Sequence, residues 1–326
     1  MILAGIDEAG YGPLLGPLVV GCCAFRMADA DSLDAELPCL WKRLGKLVGK
    51  TRCRQGKRIH VNDSKLVYST STGVKELEKA VLAIATCWQE WSADLDAFIA
   101  RVAGHATADL AGYPWYGPSV DGKFPLANDA LPIQLLARGL RAEMDRHGAV
   151  CVHLAARVVC ERQFNRMCDM TRNKSSVLFS TAAIHLDYLL RTYGDQGLVI
   201  FCDRQGGREH YGPLLMQMFE EWSLEIVKEQ DGYSEYKLHG RADAPPVRII
   251  FCEKAEAQCM PVAIASMVSK YLRESLMDRF NSWWATQVPG VKPTAGYYTD
   301  GLRFLADVGE RRAELGIEDG MMVRSR

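Results

Sequence analysis

Two adjacent carboxylates, Asp7 and Glu8, end an apolar run near the start of the chain. Two later apolar runs also end on acids, one on Asp203 and the other on Glu253 or Glu256. In an open α/β sheet, ligands bind beyond the carboxyl ends of the strands. If these ends are neighbours, four carboxylates meet there and repel one another unless a cation lies between them. Oxygen ligands favour Mg²⁺ or Mn²⁺, and two such ions promote in-line attack on a phosphodiester.

Each acid taken alone is more often a surface residue or a helix cap just past its strand. The pair Asp7–Glu8 fits that explanation less well, because adjacent strand residues point to opposite faces. For both side chains to reach one site, the chain must leave the strand at this pair. The glycines that follow would permit such a departure.

The patterning of apolar residues predicts the elements that position these acids. Buried strands are expected at 2–6, 18–25, 149–159, 197–203 and 247–256, a hairpin at 224–230 and 234–240, and helices at 73–88, 132–148, 176–194, 210–222, 261–284 and 299–314. Apolar strands interleaved with helices indicate a mixed sheet covered on both faces.

Charge and cysteine content narrow the class of protein. The segment 42–65 holds nine basic residues and one acid, a net +8 in a chain whose total is −1. Such a segment is either a solvated loop or a contact for phosphates, and charge alone does not separate the two. Eleven scattered cysteines, with no C-x-x-C, indicate a reducing compartment and argue against a disulfide framework or a thiolate zinc site. The seven histidines are dispersed, which argues against a histidine metal site.

Several motifs, in order along the chain, resemble those of ribonuclease HII, the type 2 ribonuclease H. GIDEAGYGP at 5–13 resembles the family's D-E-x-G-R-G-P, and NDSK at 62–65 its N-D-S-K. Asp203 stands where the family has its strand-end aspartate, and Lys254-Ala255-Glu256 where it has K-G-D. ASMVSK at 265–270, followed by Arg273-Glu274, resembles A-S-I-x-A-K and R-D, and GYYT at 296–299 resembles G-Y-x-T.

The resemblance implies a ribonuclease H-like α/β fold, a mixed five-stranded sheet flanked by helices with a C-terminal helical extension. It implies a site for two Mg²⁺ or Mn²⁺ ions, built from Asp7, Glu8, Asp203 and Glu256, and so prefers Glu256 to Glu253. The activity implied is hydrolysis of the RNA strand of RNA–DNA hybrids, leaving 3′-hydroxyl and 5′-phosphate ends. The substrate-binding residues implied are Gly10, Tyr11, Gly12, Asn62, Ser64, Lys65, Ser266, Lys270 and Tyr297.

Two residues depart from the family pattern. Glu256 replaces an aspartate, which lengthens the side chain by one methylene but keeps two oxygens. Tyr11 replaces an arginine and lacks its guanidinium fork for phosphate. These departures support an alternative, a ribonuclease H-like nucleic-acid-binding protein that has lost or redirected catalysis.

The chain is interpreted as one domain over 1–326, with an insertion at about 92–130, a smaller one at about 223–245 and a C-terminal helical part at about 257–326. Within the first insertion, the aromatic side chains of Tyr113, Trp115 and Tyr116 could stack on bases, but a plug that holds the insertion to the core is favoured. The expected protein is a cytoplasmic monomer that does not engage membranes. Its expected partner is an RNA–DNA hybrid or a ribonucleotide-containing duplex.

Overall fold

A mixed β-sheet lies at the centre of the computed structural model, which describes residues 1–28, 37–53, 56–69, 71, 73–117 and 122–325. Within those ranges the sheet has seven strands, in the order β5-β2-β1-β6-β9-β8-β7. They are β1 Ile2–Ala9, β2 Leu18–Met27, β5 Ala149–Val159, β6 Leu198–Asp203, β7 Ser223–Gln230, β8 Tyr233–His239 and β9 Val247–Cys252. A separate parallel pair consists of β3 Val48–Gly49 and β4 Ile59–His60.

The predicted five strands form one continuous part of this sheet. β1 pairs antiparallel with β2, which pairs antiparallel with β5, whereas β6 runs parallel to both β1 and β9. The carboxyl ends of β1, β6 and β9 therefore meet at the same edge. The predicted hairpin is confirmed as β7 and β8, and it extends the sheet beyond β9. The mixed α/β fold class is confirmed, with two more strands than expected.

Helices cover both faces of the sheet. The described helices are α1 Leu40–Arg43, α2 Ser64–Val67, α3 Lys75–Trp88, α4 Leu95–Ala103, α5 Thr107–Ala111, α6 Ala130–Arg146, α7 Glu161–Thr171, α8 Lys174–Tyr193, α9 Gly212–Met218, α10 Ala255–Gln258, α11 Met260–Gln287, α12 Tyr298–Glu314 and α13 Asp319–Met322. α11 lies on one face against β1 and β2, and α8 lies on the other. α11 is buried on nearly every side, so its apolar residues do not form a single stripe.

Glycines bring α11 close to the sheet. A Cβ atom on Gly5 of β1 would lie 2.1 Å from the backbone nitrogen of Val262, and one on Gly21 of β2 would lie 2.5 Å from the carbonyl oxygen of Ala265. Only hydrogen fits at these two positions. The close contact fixes the height of α11 above the strand that carries Asp7.

The aromatic segment in the predicted first insertion is buried. Tyr113, Trp115 and Tyr116 are at most 5% exposed, and Trp115 contacts the rings of Phe280 and Trp284 on α11. This packing confirms the plug interpretation. Residues 118–121 of the predicted insertion and Arg54 of the basic segment lie outside the described residues.

α7 is not among the helices predicted from the sequence, because few of its residues are apolar and its buried Phe164 and Cys168 stand among polar and charged residues. Among the residues the structure describes, no helix combines the length and apolar character needed to cross a membrane.

We expect Gly5→Ala to lower the free energy of unfolding by about 3 kcal/mol, because the added methyl group meets the backbone of α11 rather than a movable side chain. Urea denaturation measures the change. Gly309→Ala in α12 is the matched control, since a Cβ there meets nothing within 4 Å. It should be neutral or stabilise by up to about 1 kcal/mol. Similar losses in both variants would contradict the close contact of α11.

Candidate active site at the carboxyl edge of the sheet

The register of the parallel strands brings two of the predicted acids together. Ile6 of β1 pairs with Cys202 of β6, so Asp7 and Asp203 both follow this last pair. Glu256 lies in α10, immediately after β9, and the backbone N–H of Ala255 donates to Asp203 Oδ1 at 3.2 Å. The edge where β1, β6 and β9 end therefore holds acids from three separate elements.

The expected departure of the chain from the strand at Asp7–Glu8 is wrong. β1 continues to Ala9, because Asp7 and Glu8 still pair with Gly21 and Val20 of β2. Pairing on the other side ends earlier, at Ile6. Past that point β1 is bordered by only one strand. Glu8 therefore keeps its strand conformation and still interacts electrostatically with Asp203.

Asp7 is buried against α11. Its side chain is 8% exposed, and its Oδ1 accepts a hydrogen bond of 2.7 Å from the backbone N–H of Glu8. Ser266 lies near this carboxyl group and lowers its pKa slightly, and Ser269 donates to the Asp7 carbonyl at 3.2 Å. Two serines one helical turn apart on α11 thus face Asp7.

All four acids are harder to ionise than isolated carboxyl groups. Burial raises the pKa of Asp7 well above its usual value, and the charges of Glu8 and Asp203 raise it further. Burial also raises the pKa of Glu8 to about 7, again with a contribution from Asp203. The pKa values of Asp203 and Glu256 are raised, mainly by burial. Carboxyl groups with pKa values raised by burial and mutual repulsion are typical of functional sites.

Lys65 supplies positive charge beside these acids. Burial alone would lower its pKa, but Asp63, Asp7 and Asp203 outweigh that effect and raise it. The side chain of Asp63 caps α2 by accepting from the Lys65 N–H at 2.9 Å. The hydroxyl of Ser266 donates to that of Ser64 at 3.0 Å, which ties α2 to α11. The NDSK segment is therefore held at the site by its own cap and by α11.

The donor set fits hard divalent ions, since the four acids offer only oxygen atoms. In the described part of the chain, no three of these carboxylates have oxygens that all lie within 4.8 Å of one another. The ionised carboxylates repel one another strongly in this buried site, and a dication between them would offset the repulsion. Asp7, Glu8, Asp203 and Glu256 are thus candidates for metal ligands, and Lys65 offsets part of their charge.

The turn after β1 carries the predicted contacts to nucleic-acid backbone. Gly10 has φ +86°, and a Cβ there would lie 2.5 Å from Nε of Arg273. Gly12 is exposed, with open space around the position of a Cβ. The carbonyl of Gly296 accepts from the backbone N–H groups of Leu14 (2.7 Å) and Leu15 (3.1 Å). The segment containing Tyr297 therefore lies against this turn.

Basic side chains from distant segments of the chain lie around Tyr11. The Lys174 ammonium lies 5.1 Å from its ring centre, and Arg324 Nη2 donates to its carbonyl at 2.9 Å. Burial and the charge of Glu8 raise the pKa of Tyr11, whereas Arg208 and Arg324 act in the opposite direction. The only sequence signal for these cations is the presence of basic residues far from the opening motif.

Of the remaining predicted residues, Asn62 and Lys270 contact residues other than the four acids, and Tyr297 faces solvent. Asn62 donates to the Lys50 carbonyl at 2.9 Å, so its amide supports the loop. Lys270 forms an ion pair of 2.7 Å with Glu274 and lies 4.8 Å from the ring centre of Tyr68. Tyr297 is 54% exposed, which leaves its ring accessible from solvent.

Glu253, the alternative to Glu256 as a metal ligand, forms an ion pair with Arg204. Arg204 forms ion pairs with Glu253, Asp231 and Glu209. Arg204 therefore neutralises the acids around it and is not free to contact a phosphate. Glu256, in contrast, interacts electrostatically with Asp203 and Lys65.

In the absence of divalent ions, Glu8→Gln should raise the free energy of unfolding at about pH 8 by about 1–2 kcal/mol. The pKa of Glu8 is raised from 4.5 to about 7 in the folded protein. Its contribution to stability is therefore complete below pH 4.5 and is lost as the pH rises through about 7. Urea denaturation in EDTA at about pH 4 and pH 8 tests this. A gain of equal size at both pH values would contradict it.

Comparison with known proteins gives matches among solved structures alone, since no protein-family model and no curated protein sequence matches the chain. The ribonuclease HII of Archaeoglobus fulgidus, solved in complex with PCNA, is 15% identical, with 100% of this chain and 95% of that chain covered and a TM-score of 0.44. The ribonuclease H2 of Pyrococcus horikoshii is 14% identical, with 99% and 92% covered and a TM-score of 0.45. Bst ribonuclease HIII, in complex with Mn²⁺, is 12% identical, with 99% and 66% covered and a TM-score of 0.41.

These three proteins are ribonucleases H. At such identities and TM-scores, the likeness by itself assigns no function to this chain.

Proposed function

We propose that this chain is a metal-dependent endonuclease that hydrolyses the RNA strand of RNA–DNA hybrids and leaves 3′-hydroxyl and 5′-phosphate ends. The observation that carries the proposal is the group of four acids, from β1, β6 and α10, at one edge of the sheet. Their pKa values are all raised, and Lys65 interacts with them. The hybrid as substrate comes from the motif resemblance.

Asp7, Glu8, Asp203 and Glu256 are the residues that would hold the ions. Two Mg²⁺ or Mn²⁺ ions would activate water and stabilise the charge that develops on the leaving 3′-oxygen. The Asp7 carboxyl group accepts from the Glu8 N–H and the Asp7 carbonyl accepts from Ser269, so this residue is oriented before any ligand arrives. Asp203 is held by the N–H of Ala255. Fixed ligands of this kind avoid reorganisation during the reaction.

The turn is suited to a nucleic-acid backbone at Gly12, which is exposed and has open space around the position of a Cβ, whereas Gly10 gives room to Arg273. Lys65 offers a charge-assisted hydrogen bond to a phosphate beside the acids. The exposed ring of Tyr297 is available to pack on a sugar. Ser64, Ser266, Asn62 and Lys270 act through the contacts described above and position these groups.

Tyr11 replaces the arginine of the family motif, but positive charge is restored by other segments. Lys174 from α8 and Arg208 from the loop after β6 both lie near its ring. A phosphate that approaches Tyr11 would therefore meet two cations and a phenol instead of a single guanidinium fork. We expect the substrate preference at the cleavage point to depend on this group.

A basic cavity supports a wider contact with nucleic acid. It measures about 750 Å³ and is lined by the cations Arg52, Lys75, Lys79 and Lys123 and by the acids Glu76 and Asp129. Arg52 belongs to the basic segment 42–65, and Lys50 of the same segment donates to the carbonyl of Ala257 in α10 at 2.7 Å. The basic segment is thus attached beside Glu256. This attachment favours a phosphate contact over a detached, solvated loop.

Asp7→Asn should lower the rate of hybrid cleavage by about 1,000-fold or more, because it removes a charge that the ions require. The assay is cleavage of a labelled RNA–DNA hybrid with Mn²⁺. Glu253→Gln is the matched control, another strand-end acid whose partner is Arg204. It should retain most of the activity. Equal losses in the two variants would contradict the assignment of the site.

A substrate panel separates the proposed enzyme from the alternative binding protein. The panel contains a hybrid, a duplex with a single ribonucleotide, double-stranded RNA and DNA, each with and without Mn²⁺. Metal-dependent cleavage of the hybrid supports the proposal. Salt-sensitive binding without turnover supports the alternative, for which Tyr11 and Glu256 are the motivating departures.

Lys75→Ala/Lys123→Ala should reduce the slope of log affinity for a hybrid against log salt concentration by up to about 2, since each phosphate contact contributes about 0.9. Both lysines are exposed, so the fold should be preserved. Lys228→Ala on β7 is the control for loss of general positive charge and should leave the slope unchanged. Binding is measured in Ca²⁺ by fluorescence anisotropy. An unchanged slope in the double variant would place the nucleic acid elsewhere.

A further inference from the structure

Three side chains that are far apart in the sequence meet on the opposite side of the sheet from α11. Cys22 of β2, His153 of β5 and His185 of α8 place one ligand atom each within 4.8 Å of the other two. Cys22 is fully buried, His185 is 3% exposed and His153 is 9% exposed. The strands bring the first two together, because Cys22 pairs with Ala155, two residues from His153 on the same face.

Each of the two histidines has a ring nitrogen whose lone pair is available to bind an ion. His185 Nε2 lies 3.0 Å from the Val20 carbonyl, so a proton on Nε2 satisfies that bond and leaves Nδ1 unprotonated. His153 Nε2 is buried and has no hydrogen-bond partner. A buried, unpaired ring nitrogen is unfavourable unless another group binds it.

Aromatic rings fix the orientation of His153. Tyr188 stacks on it with ring centres 4.3 Å apart, and Trp88 meets it edge-on at 6.3 Å. Tyr188 is 41% exposed, so this end of the cluster borders the surface. A small ion could reach the cluster past Tyr188, whereas a larger ligand would have to displace packed side chains.

We propose that Cys22, His153 and His185 form a binding site for a soft d¹⁰ cation, either Cu⁺ or Zn²⁺. A thiolate and two imidazoles are typical ligands for these ions. On binding, the Cys22 thiol loses its proton to solvent and sulfur bonds to the ion. With one thiolate as the only anion in the cluster, Cu⁺ gives a neutral site and Zn²⁺ leaves one positive charge. Because a buried net charge is unfavourable, tighter binding of Cu⁺ is expected.

This site is separate from the carboxylate group in ligand type and in position on the sheet, and it does not depend on the proposed nuclease function. Hard Mg²⁺ and Mn²⁺ prefer the carboxylates, whereas soft ions prefer sulfur and imidazole. An experiment can therefore saturate the carboxylates with Mg²⁺ and observe the second site alone.

The test uses full-length protein without a histidine tag, in excess Mg²⁺. Cys39, which is exposed, and Cys53, which is partly exposed, are replaced by alanine so that these thiols do not bind the added metal. Metal retained after gel filtration is measured by mass spectrometry, in one arm with Zn²⁺ and in another with Cu⁺ under anaerobic, reducing conditions. Co²⁺ provides a third readout, since thiolate ligation gives a charge-transfer band in its absorption spectrum.

The protein with Cys39→Ala and Cys53→Ala is expected to retain one ion per chain, and its melting temperature should rise when the ion binds. Cys22→Ala and His185→Gln should each weaken binding by about 100-fold or more and abolish the cobalt band. Cys168→Ala is the matched control, a buried thiol on α7 outside this cluster, and it should bind the ion normally. Circular dichroism verifies that each variant is folded.

Failure of the folded background protein to retain Zn²⁺ or Cu⁺ would overturn the proposal. Equal retention by the folded Cys22→Ala or His185→Gln variant would also overturn it, because binding would then occur elsewhere. Cleavage of a hybrid is not a readout here, so failure of the nuclease proposal leaves this result unaffected.

Discussion

The close approach of α11 to β1 and β2 at Gly5 and Gly21 is the contact on which the arrangement of the site depends. It brings Ser266 to the Asp7 side chain and Ser269 to the Asp7 backbone. The same helix is bonded to α2 through Ser64, and α2 carries Lys65. The positions of the acids on the sheet and of the groups on two helices therefore all depend on the distance between α11 and the strands. A larger residue at either glycine would change all these contacts together.

Much of the fold could be predicted from the sequence because its strands are uninterrupted apolar runs. The long helices and the β7–β8 hairpin were also predicted, since their periodicities are clear. The position of Asp203 near Asp7, and of Glu256 near Asp203, follows from a general rule, that parallel strands present their carboxyl ends at one edge. The roles of these residues stay predictions.

Other features depend on tertiary contacts that a sequence pattern does not contain. The strand conformation of Asp7 and Glu8 results from pairing with Gly21 and Val20, which continues after pairing with β6 has ended. The cations around Tyr11 come from Lys174, Arg208 and Arg324, far along the chain. The histidines are dispersed in the sequence, yet β5 and α8 bring two of them to Cys22. Distances along a chain carry little information about such convergence.

The link between Arg324 and the turn after β1 has a consequence for the order of folding. β1 and β2 are joined by a short connection, but the turn between them also bonds to distant residues. Arg324, which donates to the carbonyls of Tyr11 and Pro13, lies 313 residues from the first and 311 from the second. The turn is therefore completed only when the C-terminal segment has docked. The surface that is proposed to receive nucleic acid would thus become rigid only after that docking.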